Sequence, residues 1–516
     1  MVATAPDKHC IGDCPVDTII IGAGSAGLAA LREVRKRTER FLIINDGPYG
    51  TTCARVGCMP SKLLIEAANA YHQRHTLEEF GIHGGAALSA DMPAVLRRVR
   101  ALRDEFVAGT VQVTDKLDQR SIAGRARLLG PQQVQVTAPD GSTTTYQAKS
   151  IVLAPGSTPV LPPEWRALGA RILTSDSVFE QTTLGPRIAV IGMGAIGIEL
   201  AQALARLGLQ VTGYATKEQV GGLSDPAINA VLRASIQSDL TLHTGPAATL
   251  HAVTDASGGQ TIAIEVRSGE HRNTVDQVLV AIGRRPQLAG LGLETLGVAL
   301  SDKGMPPVNP QSTQIADLPV YLAGDALNFR PLLHEVADEG HIAGTNAVAS
   351  AAASASGAPA QCFQRRTPLA IVFSDPNAAV IGQSFRALQA AQTKAGKEGK
   401  AGPAFVTGSV NFARQGRARA GQRNHGRLNV YADPASGLLL GAELCAPSGE
   451  HLAHLLALAI TQKMSVGQLL GMPFYHPVLE EGLRSALRDA ARQLDASAAQ
   501  DSDLAACSAI GAEALD

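Results

Sequence analysis

Residues 18–21 form a short apolar, β-branched run, the pattern of a strand covered on both faces. Gly22-Ala23-Gly24-Ser25-Ala26-Gly27 follows, then an Ala/Leu/Arg stretch of helical character to about Arg37, then a second apolar run at 41–44. The pattern predicts a β-α-β unit. It recurs with a strand at 188–191, Gly192-Met193-Gly194-Ala195-Ile196-Gly197, a helix over 198–207 and a strand over 210–214. In both units the second strand ends 23 positions after the first glycine, at Asn45 and at Ala215.

Further strands are expected at 150–153, 275–282 and 320–323, and the Ala/Ser/Gly/Pro stretch 347–360 reads as a linker. Beyond it, 368–383, 404–412 and 426–446 read as sheet, with helices at about 449–463 and 478–493. This is the outline of a separate C-terminal α+β domain.

Composition narrows the class. Of 516 residues, 45% are hydrophobic and 18% charged, enough to bury large cores in roughly three or four domains. Lys and Arg number 45 against 46 Asp and Glu, so no global field draws the chain to nucleic acid or an anionic membrane. The basic clusters at Arg365-Arg366 and at 417–419 are short and read as solvated surface. No run approaches the roughly 18–20 apolar residues of a bilayer span, and the polar first 15 residues lack the apolar core of a secretory signal. A cytoplasmic location is therefore expected, where seven cysteines serve as thiols, ligands or redox groups.

The glycines of a GxGxxG allow a tight turn, a close approach of backbone to pyrophosphate, and helix–strand packing, while the helix N-terminus offers N–H groups to the phosphates. Both copies here sit between a strand and a helix, the required context. A ribose-binding acid is expected about 20 residues on. The first unit has Asn45 with Asp46 beside it, and Asn can also hydrogen-bond a hydroxyl. The second has Ala215-Thr216-Lys217, with neither a carboxylate to repel a 2′-phosphate nor an Arg to grip one, so NAD and NADP both stay open.

The main chemical signal is Thr51-Thr52-Cys53-Ala54-Arg55-Val56-Gly57-Cys58-Met59-Pro60-Ser61-Lys62, followed by a helical pattern from Leu63 to about Gln73. In an ideal helix, Cα atoms five residues apart are separated by about 8.6 Å, beyond the roughly 7 Å limit of a disulfide. If Cys53 and Cys58 bridge, the helix start must be distorted, and Gly57 and Pro60 permit that. The pair reads as a redox-active disulfide. Inert buried thiols and half of a metal site are the alternatives, and no matching Cys/His pair stands at zinc spacing.

CxxxxC followed by Pro-Ser-Lys, downstream of a first GxGxxG, resembles the flavin-dependent class I pyridine nucleotide–disulfide oxidoreductases. Within them it is most similar to the dihydrolipoamide dehydrogenases. The resemblance spans about residues 16–490. Ala154-Pro155-Gly156-Ser157 resembles the family's ATGS turn, and Ala281-Ile282-Gly283-Arg284-Arg285-Pro286 the close of its nicotinamide domain. Tyr321-Leu322-Ala323-Gly324-Asp325 resembles its second flavin fingerprint, and the run from Leu333-His334-Glu335 to Gly340 the helix after it. Phe474-Tyr475-His476-Pro477-Val478-Leu479-Glu480-Glu481 resembles its HPTxSE motif.

The resemblance implies an α/β chain with two Rossmann-like nucleotide-binding domains, for FAD and NAD(P), plus a C-terminal α+β dimerisation domain. Its boundaries would be a tail at 1–15, an FAD-binding domain at 16–155 and 284–350, and an NAD(P)-binding domain at 156–283. A linker at 351–364, an interface domain at 365–492 and a second tail at 493–516 complete the chain. It also implies that Cys58 lies against the flavin and Cys53 is the outer thiol that attacks substrate. His476, supplied by the other subunit of a homodimer, would be the acid–base group, with Glu481 fixing its tautomer. Lys62 and Glu199 would pair beside the flavin N5. Cofactor contacts are expected from Gly22, Gly24, Ser25, Ala26, Gly27, Asn45, Asp46, Gly50, Thr51, Thr52, Lys62, Gly156, Gly192, Gly194, Ile196, Gly197, Glu199, Gly283, Arg284, Gly324, Asp325, Leu332, Leu333 and His334.

The implied reaction passes electrons from a dithiol, such as a lipoyl group, through Cys53–Cys58 and FAD to NAD. No metal, nucleic acid or membrane partner is expected. The chain departs from the family pattern at Asn45, Thr51, Pro155 and Ala215, where Glu, Gly, Thr and an acid are usual. These departures motivate an NADPH-dependent reductase of another disulfide, and more weakly a flavin-binding assembly subunit with a vestigial site. The Glu481-Gly482-Leu483 segment resembles mercuric reductases, but His476 is kept and the tail carries only Cys507. Cys10 and Cys14 lie outside the resemblance and read as incidental thiols.

Overall fold

An 11-residue strand joins two kinds of sheet in the first part of the molecule. In the computed structural model, which describes residues 15–255, 261–352, 360–397 and 405–494, the chain folds into two compact units. Of the described residues, the first comprises 15–67, 90–184 and those within 279–366; the second comprises 68–89 and those within 185–278 and from 367 to 494.

In the first unit, β1 (Val16–Ile21) and β2 (Phe41–Asn45) flank the helix α1 (Ser25–Val34) in sequence. Then come β3 (Ser121–Ala123), β4 (Arg125–Gly130), β5 (Gln133–Thr137) and β6 (Thr143–Leu153). The strand order is β3-β2-β1-β6-β5-β4, and strand Val320–Leu322 also pairs with β6. The first half of β6 runs antiparallel to β5, from Thr143↔Thr137 to Gln147↔Gln133. Its second half runs parallel to β1 and to Val320–Leu322. Ile19, Ile20, Ile43, Ile151, Val152 and Leu322 are fully buried, as an unbroken apolar run on a central parallel strand requires.

Helix Leu333–Ala352 packs on α1 at backbone distance. A Cβ on Gly340 would lie 2.2 Å from the Ala26 carbonyl oxygen, and one on Gly344 2.5 Å from that of Ala30. This helix occupies the first six residues of the stretch expected to be a linker; residues 353–359 lie outside the described residues.

In the second unit, Arg187–Ile191, Gln210–Ala215 and Thr241–Thr244 are parallel neighbours. Helix Ala195–Arg206 follows the second glycine-rich turn and begins three residues earlier than the sequence pattern indicated. The strand expected at 275–282 is broken at Asp276, between His271–Val275 and Gln277–Val280. The chain changes sheets there: His271–Val275 pairs with Thr261–Ser268, whereas Gln277–Val280 joins the sheet of Arg187–Ile191, and the Asp276 carboxylate accepts the Arg187 backbone N–H at 2.9 Å and its guanidinium at 2.7 Å.

The C-terminal sheet is antiparallel, in the order Leu369–Val372, Asn377–Gly382, Leu439–Ala446, Arg427–Ala432, Val406–Asn411. Helices Gly449–Thr461 and Glu480–Ala491 cover it. Fully buried Glu443 on this sheet accepts the backbone N–H groups of Ser224, Asp225 and Phe385 at 2.8–3.0 Å, and the Ser224 hydroxyl. Among the described residues, no helix is long and apolar enough to cross a membrane.

Candidate functional site

The expected distortion at the cysteine pair is present. Helix α2 (Thr52–Val56) stops at Gly57, and a second helix, α3 (Cys58–His72), starts directly after it. A Cβ on Gly57 would lie 3.1 Å from the Thr52 carbonyl oxygen and 3.3 Å from the Cys53 Cα, closer than side chains usually pack, so a larger residue would press on the break. It brings the two sulfurs into hydrogen-bonding contact, with Cys53 half-buried and Cys58 exposed. The hydrogen bond with Cys58, burial and the charge of Cys58 push the Cys53 thiol well up, while a backbone hydrogen bond at Cys58 and the Lys62 ammonium pull it down.

Thr51 precedes this turn with φ +60°, a left-handed conformation that a β-branched residue rarely adopts. Its hydroxyl accepts the Ala54 N–H at 3.1 Å and caps α2. The side chain offsets part of the backbone strain that a glycine here would not have.

Both glycine-rich turns have the geometry their spacing implies. Gly22 has φ +105°, and a Cβ on it would lie 2.1 Å from the Ala154 carbonyl oxygen; one on Gly27 would lie 1.8 Å from that of Gly22. At Gly24 and Gly194 a Cβ would face open space. Each is the N-cap of its helix, with no side-chain cap and no acid in the first turn. By contrast, Asp91, Asp225 and Ser465 cap their helices through side chains. Two uncapped, unobstructed helix starts after parallel strands fit the pyrophosphates of two dinucleotides. The Asn45 side chain accepts the Ala23 N–H at 3.0 Å and donates to the Gly47 carbonyl, leaving one N–H and one lone pair for a ribose hydroxyl. Asp46 beside it is exposed.

Ser157 and Asp325 meet on the first unit. The Ser157 hydroxyl donates to Asp325 at 2.6 Å and accepts from Arg284 at 2.9 Å. Arg284 also donates to the Ser157 carbonyl, the Ser175 hydroxyl and the Asp176 carboxylate, so protein atoms engage its guanidinium. Gly156 (φ +74°), Gly283 (φ +121°) and Gly324 (φ +79°) turn the chain around this group. Gly50 has φ +107° and packs on Val107. Thr52, Leu333 and His334 are exposed, Leu332 is half-buried, and Ile196 is exposed on the second glycine-rich helix.

In the second unit, His476 Nδ1 lies 3.0 Å from Glu481 Oε1. That partner selects the tautomer with the proton on Nδ1 and leaves Nε2 as the basic nitrogen. The other Glu481 oxygen accepts the Val478 N–H at 3.2 Å, and Gln415 donates to the Val478 carbonyl at 2.6 Å. The hydrogen bonds from His476 and Val478 hold the Glu481 carboxyl below the usual glutamate range. His476 itself is 79% exposed. Buried Glu199 accepts the Phe373 N–H at 2.9 Å. Cys445 is fully buried in the C-terminal sheet, where burial pushes its thiol up and makes it a core residue.

Sequence reading did not single out Ser157, Gln415, Arg365 or Glu339 as functional. Glu335 and Glu339 stand four apart on one helical face, but their burial, which calls for buried cations, shows only in the structure.

Residues 16–351 match the family described as pyridine nucleotide-disulphide oxidoreductase, and 369–487 match its dimerisation domain. A dihydrolipoyl dehydrogenase of Bacillus subtilis is 28% identical over 470 residues, covering 91% of this chain and 97% of the relative. Another from Thermus scotoductus is 29% identical over 485 residues, covering 91% and 96%. In fold, the chain is similar to LpdA from Mycobacterium tuberculosis (TM-score 0.75, 24% identity, 92% of this chain and 99% of that one). It is equally similar to the HOCl-induced flavoprotein disulfide reductase RclA from Escherichia coli (TM-score 0.75, 19% identity, 92% and 99%).

Proposed function

Because the chain belongs to the pyridine nucleotide-disulphide oxidoreductase family, we propose that it oxidises a dithiol, with a lipoyl group as the leading candidate, through Cys53 and Cys58 and delivers the electrons to NAD. The observation that carries this reading is the sulfur contact across the Gly57 break, which makes a five-residue spacing competent to form and open a disulfide.

Bound FAD supplies the electron and hydride chemistry between the dithiol and the nicotinamide. The uncapped start of α1, with Asn45 and Asp325, would hold FAD; the uncapped start of Ala195–Arg206 would hold the dinucleotide. The substrate thiolate attacks Cys53 of the oxidised pair, forming a mixed disulfide and expelling the Cys58 thiolate. The second substrate thiol then attacks the substrate sulfur of that mixed disulfide and releases Cys53. Across these two steps the substrate is oxidised to its disulfide and the cysteine pair reduced to one thiol and one thiolate. His476, supplied by the partner subunit of a homodimer, accepts a substrate proton at Nε2, and Glu481 holds the imidazole in the tautomer for that task. The Lys62 charge favours thiolate at the pair.

The test is anaerobic titration of the purified protein with dihydrolipoamide, followed by NAD or NADP. A long-wavelength absorbance band on reduction, discharged by NAD with formation of NADH, is expected. No spectral response to dihydrolipoamide would refute the lipoyl reading. A second reading, an NADPH-dependent reductase of another disulfide, is favoured by one observation: the strand Gln210–Ala215 ends without a carboxylate. It predicts that NADPH alone raises the same band.

A further inference from the structure

Glu339 is 1% exposed and takes no part in the chemistry proposed above. Its Oε2 accepts the backbone N–H of Gly324 at 2.9 Å. Its Oε1 makes an ion-pair contact of 2.9 Å with Arg365 Nη2 but has no hydrogen bond. Arg365 also binds Glu335, itself fully buried, at 2.9 Å and donates to the Pro310 carbonyl at 2.7 Å. Its guanidinium lies 4.0 Å from the Phe329 ring centroid. Arg330 closes the group on Glu335 at 3.1 Å.

This cluster lies behind the turn that presents Asp325. Gly324 has φ +79°, and a Cβ on it would come within 2.9 Å of the Ala26 Cβ in the first turn of α1. The next residue of the Glu339 helix, Gly340, meets the Ala26 backbone at 2.2 Å by the same measure. The pyrophosphate helix, the Asp325 turn and the buried helix therefore converge on one point, and Glu339 is the ionisable group bonded there.

We propose that Glu339 is a positioning residue of the flavin site, holding the Gly324–Asp325 turn against the first turn of α1. The proposal rests on the flavin reading of that site. Glu339 faces Arg365 from the segment after residue 360, Glu335 from its own helix, with Arg330 beyond, and the turn carrying Asp325. On α1, Glu33 is engaged by Lys36 and His341, and on the buried helix Asp338 is engaged by Arg366. Burial, reinforced by Glu335 and opposed by Arg365 and the Gly324 N–H, pushes the Glu339 carboxyl up to about 7. The grip on Gly324 is therefore strongest above neutral pH and weakens as the carboxylate takes a proton.

The test is FAD binding to the flavin-stripped full-length protein, followed by flavin fluorescence, for wild type, Glu339→Gln and Glu339→Ala from about pH 6 to 8. Glu339→Ala should raise the Kd about ten- to a hundredfold, the loss of one hydrogen bond to a charged acceptor. In wild type, affinity should fall as pH drops through about 7. Glu339→Gln, which keeps an acceptor but cannot ionise, should sit at the wild-type acid value at every pH. Should Glu339→Ala fail to fold, the contrast between wild type and Glu339→Gln decides. Equal affinity and equal pH dependence in all soluble variants would overturn the proposal while leaving the flavin reading intact. A wild type that takes up no FAD would remove both.

Discussion

The Ser157 hydroxyl donates a 2.6 Å hydrogen bond to the Asp325 carboxylate across 168 positions of sequence, and Arg284 anchors that hydroxyl from its other side. A carboxylate fixed in this way keeps one oxygen and one direction for a ligand hydroxyl. Arg284→Lys retains the charge but cannot span Ser157, Ser175 and Asp176 at once. FAD affinity should fall about tenfold or more, consistent with the roughly 1.5–3 kcal/mol of a charged hydrogen bond. Fluorescence titration of the flavin-stripped variant measures it, and an unchanged Kd would show that the clamp does not orient Asp325.

At the cysteine pair, Cys53→Ser and Cys58→Ser should each abolish disulfide turnover while FAD remains bound, since exchange needs both sulfurs. Full turnover in either variant, measured by NADH formation from dihydrolipoamide and NAD, would sink the mechanism. Gly57→Ala tests the geometry alone. The added Cβ meets the Thr52 carbonyl oxygen at 3.1 Å, so the break must give by a few tenths of an ångström. A loss of about 1–3 kcal/mol in chemical denaturation is expected, with slower oxidation of the pair.

Thr51 sets two local effects against each other. Its φ of +60° costs about 1–3 kcal/mol in a non-glycine residue, and its hydroxyl cap returns about 1 kcal/mol. Thr51→Gly should be close to neutral, because relief of strain balances loss of the cap and the extra entropy of glycine. Thr51→Ala loses the cap and keeps the strain, so it should be less stable than both by about 1 kcal/mol. A Thr51→Ala protein as stable as wild type would show that the hydroxyl contributes nothing.

The His476–Glu481 pair predicts a distinct signature in pH. The Glu481 carboxyl is held below its usual value, so its hydrogen bond to His476 is complete above pH 4.5 and is lost only as pH falls through the lower folded value. His476→Gln should reduce kcat by about 10²–10⁴ without loss of flavin. Glu481→Gln should lower kcat less, because an amide can still accept from Nδ1. Pre-steady-state reduction by dihydrolipoamide across pH separates the two variants, and equal losses would argue against a tautomer-fixing role.

Glu339 makes a stability prediction of the opposite sign. A carboxyl raised in the folded state, from 4.5 to about 7, contributes stability that is complete below pH 4.5 and is lost as pH rises to about 7. Relative to Glu339→Gln, the wild type should lose about 3 kcal/mol over that window. Urea melts at three pH values would detect it, and parallel curves for the two proteins would refute it.

Features carried by short sequence separation were legible in the chain. The two glycine-rich turns lie between a strand and a helix a few residues away, and the break at Gly57 follows from the five-residue spacing of Cys53 and Cys58. His476 and Glu481 are also five apart. The Ser157–Asp325–Arg284 clamp and the Glu335–Arg365–Glu339 cluster were not legible, because each joins segments that only tertiary folding brings together. Asp276 shows the same limit in the fold. The apolar pattern at 275–282 reads as one strand, and it divides because the chain leaves one sheet for another at Asp276, whose backbone N–H and carboxylate both meet Arg187, 89 positions earlier.

The first sheet places β1 between β2 and β6, with Val320–Leu322 beside β6, and its first helix is covered by Leu333–Ala352. During synthesis, therefore, the nucleotide site begun at Gly22 stays unfinished until more than 300 further residues have left the ribosome. At about 5–20 residues per second this interval is roughly 15–60 s. Throughout it, apolar strand edges and an uncovered helix face are exposed on the nascent chain. The nucleotide site is complete only at the end of that interval.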